Sequence, residues 1–235
     1  MDGTPYTLPS ISYEPAGNPS LFDQWEAGDP AVLQAPLSVH DASYREVIVG
    51  VITALHQMGR RTLVGVGSGN GVVEAELSAA GWDVLATDCA ESALRCCRSK
   101  GLEVRKFNLM NDDGLCAFDV IYCDGVMGHL WQPGSNSVLA WRALARLGRP
   151  GSFAVVSNDL ADSDRGAQFA VHASTSAQFY RPPAGSFATD ACSTSLWSLD
   201  STRIYSYRRH GDMRRREILL AQLLMNERIE PNDRP

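Results

Sequence analysis

Leu63-Val-Gly-Val-Gly-Ser-Gly-Asn-Gly-Val72, continuing through Val73-Glu-Ala-Glu-Leu77 to Trp82-Asp-Val-Leu-Ala-Thr-Asp88, is the stretch whose reading decides the fold. An apolar, β-branched run (Leu63, Val64, Val66) enters glycines at 65, 67, 69 and 71. A helical pattern begins at Val72 and closes near Gly81, and a second apolar strand ends at Asp88. Strand, glycine-rich turn, helix, strand and acid make half of a nucleotide-binding α/β unit. Glycines let the chain turn sharply and let a ligand lie against main-chain N–H groups without a Cβ in the way. The terminal carboxylate can accept hydrogen bonds from two neighbouring ribose hydroxyls. A tight turn that serves packing alone is the bland alternative.

The spacing of the glycines separates two ligand classes. A dinucleotide fingerprint, G-x-G-x-x-G, starting at Gly67 or Gly69 needs glycine at 72 or 74, where Val72 and Glu74 stand. Starting at Gly65 it needs glycine at 70, which is Asn70. The chain carries G-x-G-x-G at 67, 69 and 71 instead. This pattern resembles the first motif of class I S-adenosylmethionine-dependent methyltransferases of the small-molecule, natural-product type. Their ligand has no pyrophosphate to seat on a helix N-terminus. The family often has an acid two residues before the first of these glycines; here that position is Gly65, which leaves the hold on the methionine amino group unassigned.

Further motifs follow in the family's order. Leu102–Phe107 reads as a third strand leading to Asn108-Leu109, where class I enzymes often place a side chain and a backbone N–H against adenine. Phe118-Asp-Val-Ile-Tyr-Cys-Asp124 reads as a fourth strand entering Gly125-Val-Met-Gly-His129-Leu, similar to the family's fourth-strand motif. The family's R-x-L-x-P-G-G phrase is loosely matched by Arg146-Leu-Gly-Arg-Pro-Gly151. The resemblance covers roughly residues 61 to 225. It implies an α/β fold, with a Rossmann-like seven-stranded mostly parallel sheet and a C-terminal antiparallel hairpin. It also implies S-adenosylmethionine as cofactor, held by Gly65, Gly67, Ser68, Gly69, Asp88, Cys89, Asn108, Leu109 and Cys123, with Tyr13 covering it from the N-terminal arm.

Ligands of doubly wound sheets sit beyond the carboxyl ends of the strands, which draws Cys123, Asp124 and His129 toward the transferred methyl. The reaction implied is in-line transfer of a sulfonium methyl, catalysed mostly by positioning and exclusion of water. An amine or guanidine acceptor needs a held cation and a route for one proton. The reading is N-methylation of a small cationic metabolite, with Asp124 and Glu14 as cation anchors and His129 as base. O-methylation of a hydroxyl or carboxylate with His129 as base is the first alternative. A non-catalytic subunit that uses the fold to bind a partner protein is the second. An NAD-dependent dehydrogenase is disfavoured by Val72 and Glu74.

Composition agrees with a globular enzyme. The 235 residues are 44% hydrophobic and 20% charged, enough for one domain with extensions. No apolar run reaches the roughly 18 residues of a membrane helix, and the N-terminus lacks a signal-peptide pattern. Six cysteines form no C-x-x-C pair, so reduced thiols in a cytoplasm are expected. The histidines at 40, 56, 129, 172 and 210 give no zinc spacing, and no metal is expected. The net charge of −6 is unevenly placed: residues 1–44 hold six acids and no Lys or Arg, whereas 21 acids balance 21 bases from Arg45 onward. That asymmetry argues against a nucleic-acid footprint in the arm and favours a cationic small-molecule substrate. A monomer or homodimer is expected.

Three segments are expected: an arm or lid over 1–40, the methyltransferase domain over 41–228, and a frayed tail over 229–235. Within the arm, Pro and Gly alternate with aromatics, and a short helix is expected near 20–27. Apolar periodicity predicts a helix over 42–58, capped by Asp41 or by Ser43 with Glu46 in a capping box. Helices are also expected near 91–100, 137–147 and 165–180, the last beside a substrate loop within 160–196. Residues 153–159 read as a buried fifth strand. A hairpin is expected from Thr202 through a turn at His210–Asp212 to Met225. Arg208, Arg209, Arg214, Arg215 and Arg216 flank its turn and read as a solvated tip.

Overall fold

The computed structural model describes residues 27, 39, 41–131, 136–162, 168–171, 178–209 and 212–224. The chain folds through helix α1 (Ala42–Gln57), strand β1 (Thr62–Val66), α2 (Val72–Ala79), β2 (Asp83–Asp88), α3 (Glu91–Ser99) and β3 (Glu103–Lys106). It continues with β4 (Phe118–Asp124), α4 (Met127–Leu130), α5 (Val138–Ala145), β5 (Gly148–Asp159), β6 (Gln168–Val171) and β7 (Gln178–Arg181). Helix α6 (Ser186–Ser193) and strands β8 (Trp197–Arg209) and β9 (Asp212–Leu223) complete the described order.

The main sheet has seven strands in the order β3-β2-β1-β4-β5-β9-β8. Strands β1 to β5 run parallel to one another, and β9 is antiparallel to both β5 and β8. The expected sheet and terminal hairpin are therefore present. The strand order reverses between β1 and β4, so the crevice beyond their carboxyl ends is the switch point at which such folds bind ligands.

Alternating side chains explain the layering. In β1, Leu63 faces one side with Tyr44, Ile48, Ile52, Val73 and Leu77 from α1 and α2. Val64 and Val66 face the other side, against the helices that contribute Trp141, Leu144 and Phe187. Strands buried on both faces in this way read as the near-continuous apolar runs seen in the sequence. Asp41 caps α1 by accepting the Tyr44 N–H at 2.9 Å. Asp41 is thus the N-cap, because it is the residue immediately before the first helical one, and Ser43 already lies inside the helix.

Several expectations are corrected. The helix expected over 165–180 gives way, among the described residues, to a separate antiparallel ribbon in which Phe169 pairs with Tyr180 and Gln168 with Arg181. Here β-forming aromatics and β-branched residues outweigh a weak helical pattern. Helix α6 was not read from the sequence, because its Ser/Thr/Asp-rich text lacks a strong apolar period. Strand β5 begins at Gly148, five residues earlier than expected, with a register irregularity against β4 between Phe118 and Val120. The hairpin also starts earlier, at Trp197. The expected tail and all of the expected arm except Ala27 and Val39 lie outside the described residues, and so do Tyr13, Glu14 and the helix expected near 20–27. No helix among the described residues is long and apolar enough to cross a membrane.

Candidate cofactor and acceptor site

The turn after β1 is built by backbone geometry that the glycines permit. Gly67 sits at φ +66°, in the left-handed region that disfavours a side chain. A Cβ placed there would run into Cγ2 of Val126, in the loop after β4. Gly67 and Val126 thus touch across the switch point. The turn is tied to β2 by the Ser68 N–H, which donates to the Thr87 carbonyl at 2.9 Å, and by the Thr87 hydroxyl, which donates to the Gly65 carbonyl at 2.7 Å.

Asp88 closes this side. Its carboxylate accepts the Gly69 N–H at 3.0 Å and the Ala90 N–H at 2.9 Å. Burial pushes its pKa up, and those main-chain hydrogen bonds pull against the rise. The structure therefore brings Gly65, Gly67, Ser68, Gly69 and Asp88 into one wall. Cys89 follows immediately and is exposed. On the next strand, Asn108 folds back on its own loop: Oδ1 accepts the Met110 N–H at 3.0 Å, and its main-chain N–H donates to Asp112 at 2.8 Å. Leu109 is buried, and its carbonyl accepts from Arg146 at 2.9 Å. An Asn turn of this kind fixes the loop and keeps the amide at one place on the rim.

The reading of Asp124 as an open anchor for a substrate cation is corrected. Arg216, from β9, forms an ion pair with it, and the two side chains are only 9% and 5% exposed. The Tyr44 hydroxyl reaches Asp124 at 2.9 Å and the Tyr122 hydroxyl at 3.1 Å. Arg216 Nη1 also lies 3.3 Å from Asp159. Burial pushes the Asp124 carboxyl up, and the guanidinium beside it works in the opposite sense. Its charge is met inside the protein. Arg216 is accordingly no member of a solvated tip, because an isolated charge would not enter this core without its partners. Arg214 reaches toward Asp162 at 3.5 Å, and Arg215 donates to the Ala161 carbonyl at 2.9 Å. The Cys123 side chain is wholly buried in the core.

His129 lies on α4, directly beyond β4, and is partly buried. The Gly128 N–H donates to Asn158 Oδ1 at 3.0 Å, fixing this short helix on the end of β5. The His129 ring stands 5.5 Å from that of Phe179 on β7, and the Arg181 guanidinium lies 5.3 Å from the same Phe179 ring. The ribbon thus builds one side of the mouth, a contribution that no motif in 160–196 signalled.

The glycine wall, the carboxylate after β2 and the loop after β4 lie together on a Rossmann-like, mostly parallel sheet. Residues 64–156 match the family model described as a methyltransferase domain. That stretch runs from β1 into β5 and contains the turn, Asp88, Asn108 and His129. The resemblance to class I S-adenosylmethionine-dependent methyltransferases read from the glycine spacing is borne out by this match and by the fold.

A tabtoxin biosynthesis enzyme from Pseudomonas amygdali pv. tabaci is 30% identical over 156 residues, covering 65% of this chain. The match spans 61% of that curated relative's length. A solved S-adenosylmethionine-dependent methyltransferase from Methanosarcina mazei is similar with a TM-score of 0.60 at 14% identity, over 71% of this chain and 94% of that one. The 1,6-didemethyltoxoflavin-N1-methyltransferase of Burkholderia thailandensis, solved with 1,6-didemethyltoxoflavin and S-adenosylhomocysteine, has a TM-score of 0.59 at 15% identity. It covers 89% of this chain and 93% of its own. At such identities these two likenesses establish the fold.

Proposed function

We propose that this protein transfers a methyl group from S-adenosylmethionine to a nitrogen of a small cationic metabolite, an amine or a guanidine. The wall described above supports the cofactor: Gly67 lets the turn approach Val126 where a Cβ would collide, and two main-chain N–H groups hold the Asp88 carboxylate in place. When bound, the cofactor supplies an electrophilic methyl on a sulfonium whose departing sulfur needs no proton. Gly65, Gly67, Ser68 and Gly69 cradle the amino-acid part, Asp88 takes the ribose hydroxyls, and Asn108 with Leu109 receives the adenine edge. Cys89 flanks the ribose side, and Cys123 contributes main chain.

The acceptor nitrogen must shed a proton as it becomes methylated, and the remaining work is to align it and exclude water. His129 takes that proton. The observation that carries the reading is its position beyond β4, with Phe179 as an aromatic wall beside it. Because Asp124 already serves Arg216, the cation falls to Glu14 and its acidic neighbours in the Lys/Arg-free arm. The structurally similar protein solved with 1,6-didemethyltoxoflavin is an N1-methyltransferase by name, which supports nitrogen as acceptor. O-methylation of a hydroxyl or carboxylate is the second reading, and the Arg181 guanidinium near the same ring favours the carboxylate form.

Incubation with isotope-labelled methyl donor and matched panels of amines, guanidines, alcohols and carboxylic acids tests this. Label should enter amines or guanidines, and His129→Asn should lower kcat by tenfold or more with donor affinity unchanged. Labelling confined to acids or alcohols would transfer the assignment to the second reading.

A further inference from the structure

The sequence leaves Gly65 where a charged side chain would complete the cofactor wall. A methyl group added to Gly65 would lie 3.0 Å from Glu74 Cγ and would collide with Glu74 Oε1 and Ser68 Oγ. The carboxyl group of Glu74 therefore fills the space left by the missing Cβ, reached from the first turn of α2 rather than from β1. Glu74 is 2% exposed. A carboxylate is rarely buried in a helix that packs on a sheet unless something is there to meet it. The main-chain N–H of Glu74 and the Ser68 hydroxyl hydrogen-bond to its carboxyl, and the Ser68 oxygen also accepts the Thr87 N–H at 3.2 Å. The loss of hydration outweighs both bonds.

The cofactor carries a fixed ammonium on its amino-acid end. We infer that Glu74, steered by Ser68, is the positioning carboxylate for that ammonium, replacing a side chain that position 65 cannot supply. The inference rests on the cofactor reading and deepens it. Without ligand, burial raises the Glu74 pKa from 4.5 to about 7. An arriving ammonium favours the ionised form, so binding near neutral pH should release a proton. The other titratable groups facing Glu74 are Asp88 from the end of β2, Asp124 and Tyr122 from β4, and Cys97 from α3. Cys97 is pushed up to about 12 and Tyr122 well above 10, so neither thiol nor phenol titrates between pH 6 and 8. The two aspartates are retained in the test variants, and any proton they exchange appears in both proteins.

The test is calorimetric binding of S-adenosylhomocysteine to the full chain at pH 6, 7 and 8, in buffers of different ionisation enthalpy. Wild type should bind more tightly as pH rises and release a fraction of a proton at pH 7. E74Q keeps the shape and the hydrogen-bonding capacity but loses the charge. It should bind at least tenfold more weakly at pH 8 and release less proton. G65D/E74A is the second variant and guards against misfolding of the altered helix. It returns a carboxylate from the strand side and should recover most of the affinity that E74A loses. E74Q with wild-type affinity and wild-type proton release would overturn the inference, as would G65D/E74A no tighter than E74A. Wild type that binds no S-adenosylhomocysteine would instead remove the cofactor reading itself.

Discussion

Breaking the Asp124–Arg216 pair offers a sharp test of how the mouth is held. Both side chains are almost fully buried, and the pair joins β4 to β9 across β5. Removing one partner leaves the other charge buried and unmet, which costs about 3–5 kcal/mol. Asp124→Asn belongs at the lower end of that range, because Arg216 retains Asp159 at 3.3 Å. Arg216→Met belongs at the upper end, because the Tyr44 and Tyr122 hydroxyls can stabilise the stranded carboxylate only partly. If the two changes were independent, the double variant would lose the sum. If the groups exist for each other, the double variant should lose little more than the worse single one, a coupling of about 2–3 kcal/mol. Urea unfolding of the four proteins at pH 7, analysed by linear extrapolation, reads this directly. Losses that add to within about 0.5 kcal/mol would refute an internal ion pair and return Asp124 to the list of substrate anchors.

Other changes probe the wall and the core. Gly67→Ala forces a side chain into left-handed backbone and against Val126, and should weaken S-adenosylhomocysteine binding at least tenfold in a calorimetric titration. Asp88→Ala removes the acceptor for the Gly69 and Ala90 N–H groups and for the ribose. The same titration should show affinity falling by ten- to a hundredfold, more for adenosine-containing ligands than for methionine. Trp141→Ala empties a fully buried site against Trp197, and should cost about 3–5 kcal/mol in urea unfolding without changing the ligand's stoichiometry. Glu74 predicts a pH effect in ligand-free protein. Its folded pKa is raised, so its stabilisation is complete below about pH 4.5 and is lost as pH climbs through 7. Wild type should therefore lose about 1 kcal/mol relative to E74Q between pH 6 and pH 8, measured by denaturant midpoint.

The fold was legible where local text and tertiary demand coincide. Residues 63–88 state a strand by β-branching, a turn by glycines and a helix by period. Asp88 could be read because a strand end, a glycine turn and an acid keep a fixed geometry. Asp124 was misread as a substrate anchor for a physical reason. Its partner Arg216 lies 92 residues away, and no local pattern shows that β9 will slide in beside β5 and deliver a guanidinium. In the sequence Glu74 stands out only as a missing glycine, because its significance depends on which side of β1 the helix turns toward. The 160–196 region is opaque in the sequence because two short strands and a short helix carry little periodicity.

The central claim is that an adenosyl-bearing methyl donor lies across the turn after Val66. A single calorimetric comparison of S-adenosylhomocysteine with NAD, on the intact chain at pH 8, tests it most directly. We predict one-site binding of S-adenosylhomocysteine and no measurable heat with NAD. NAD binding at that turn, or no binding of S-adenosylhomocysteine, would contradict the account.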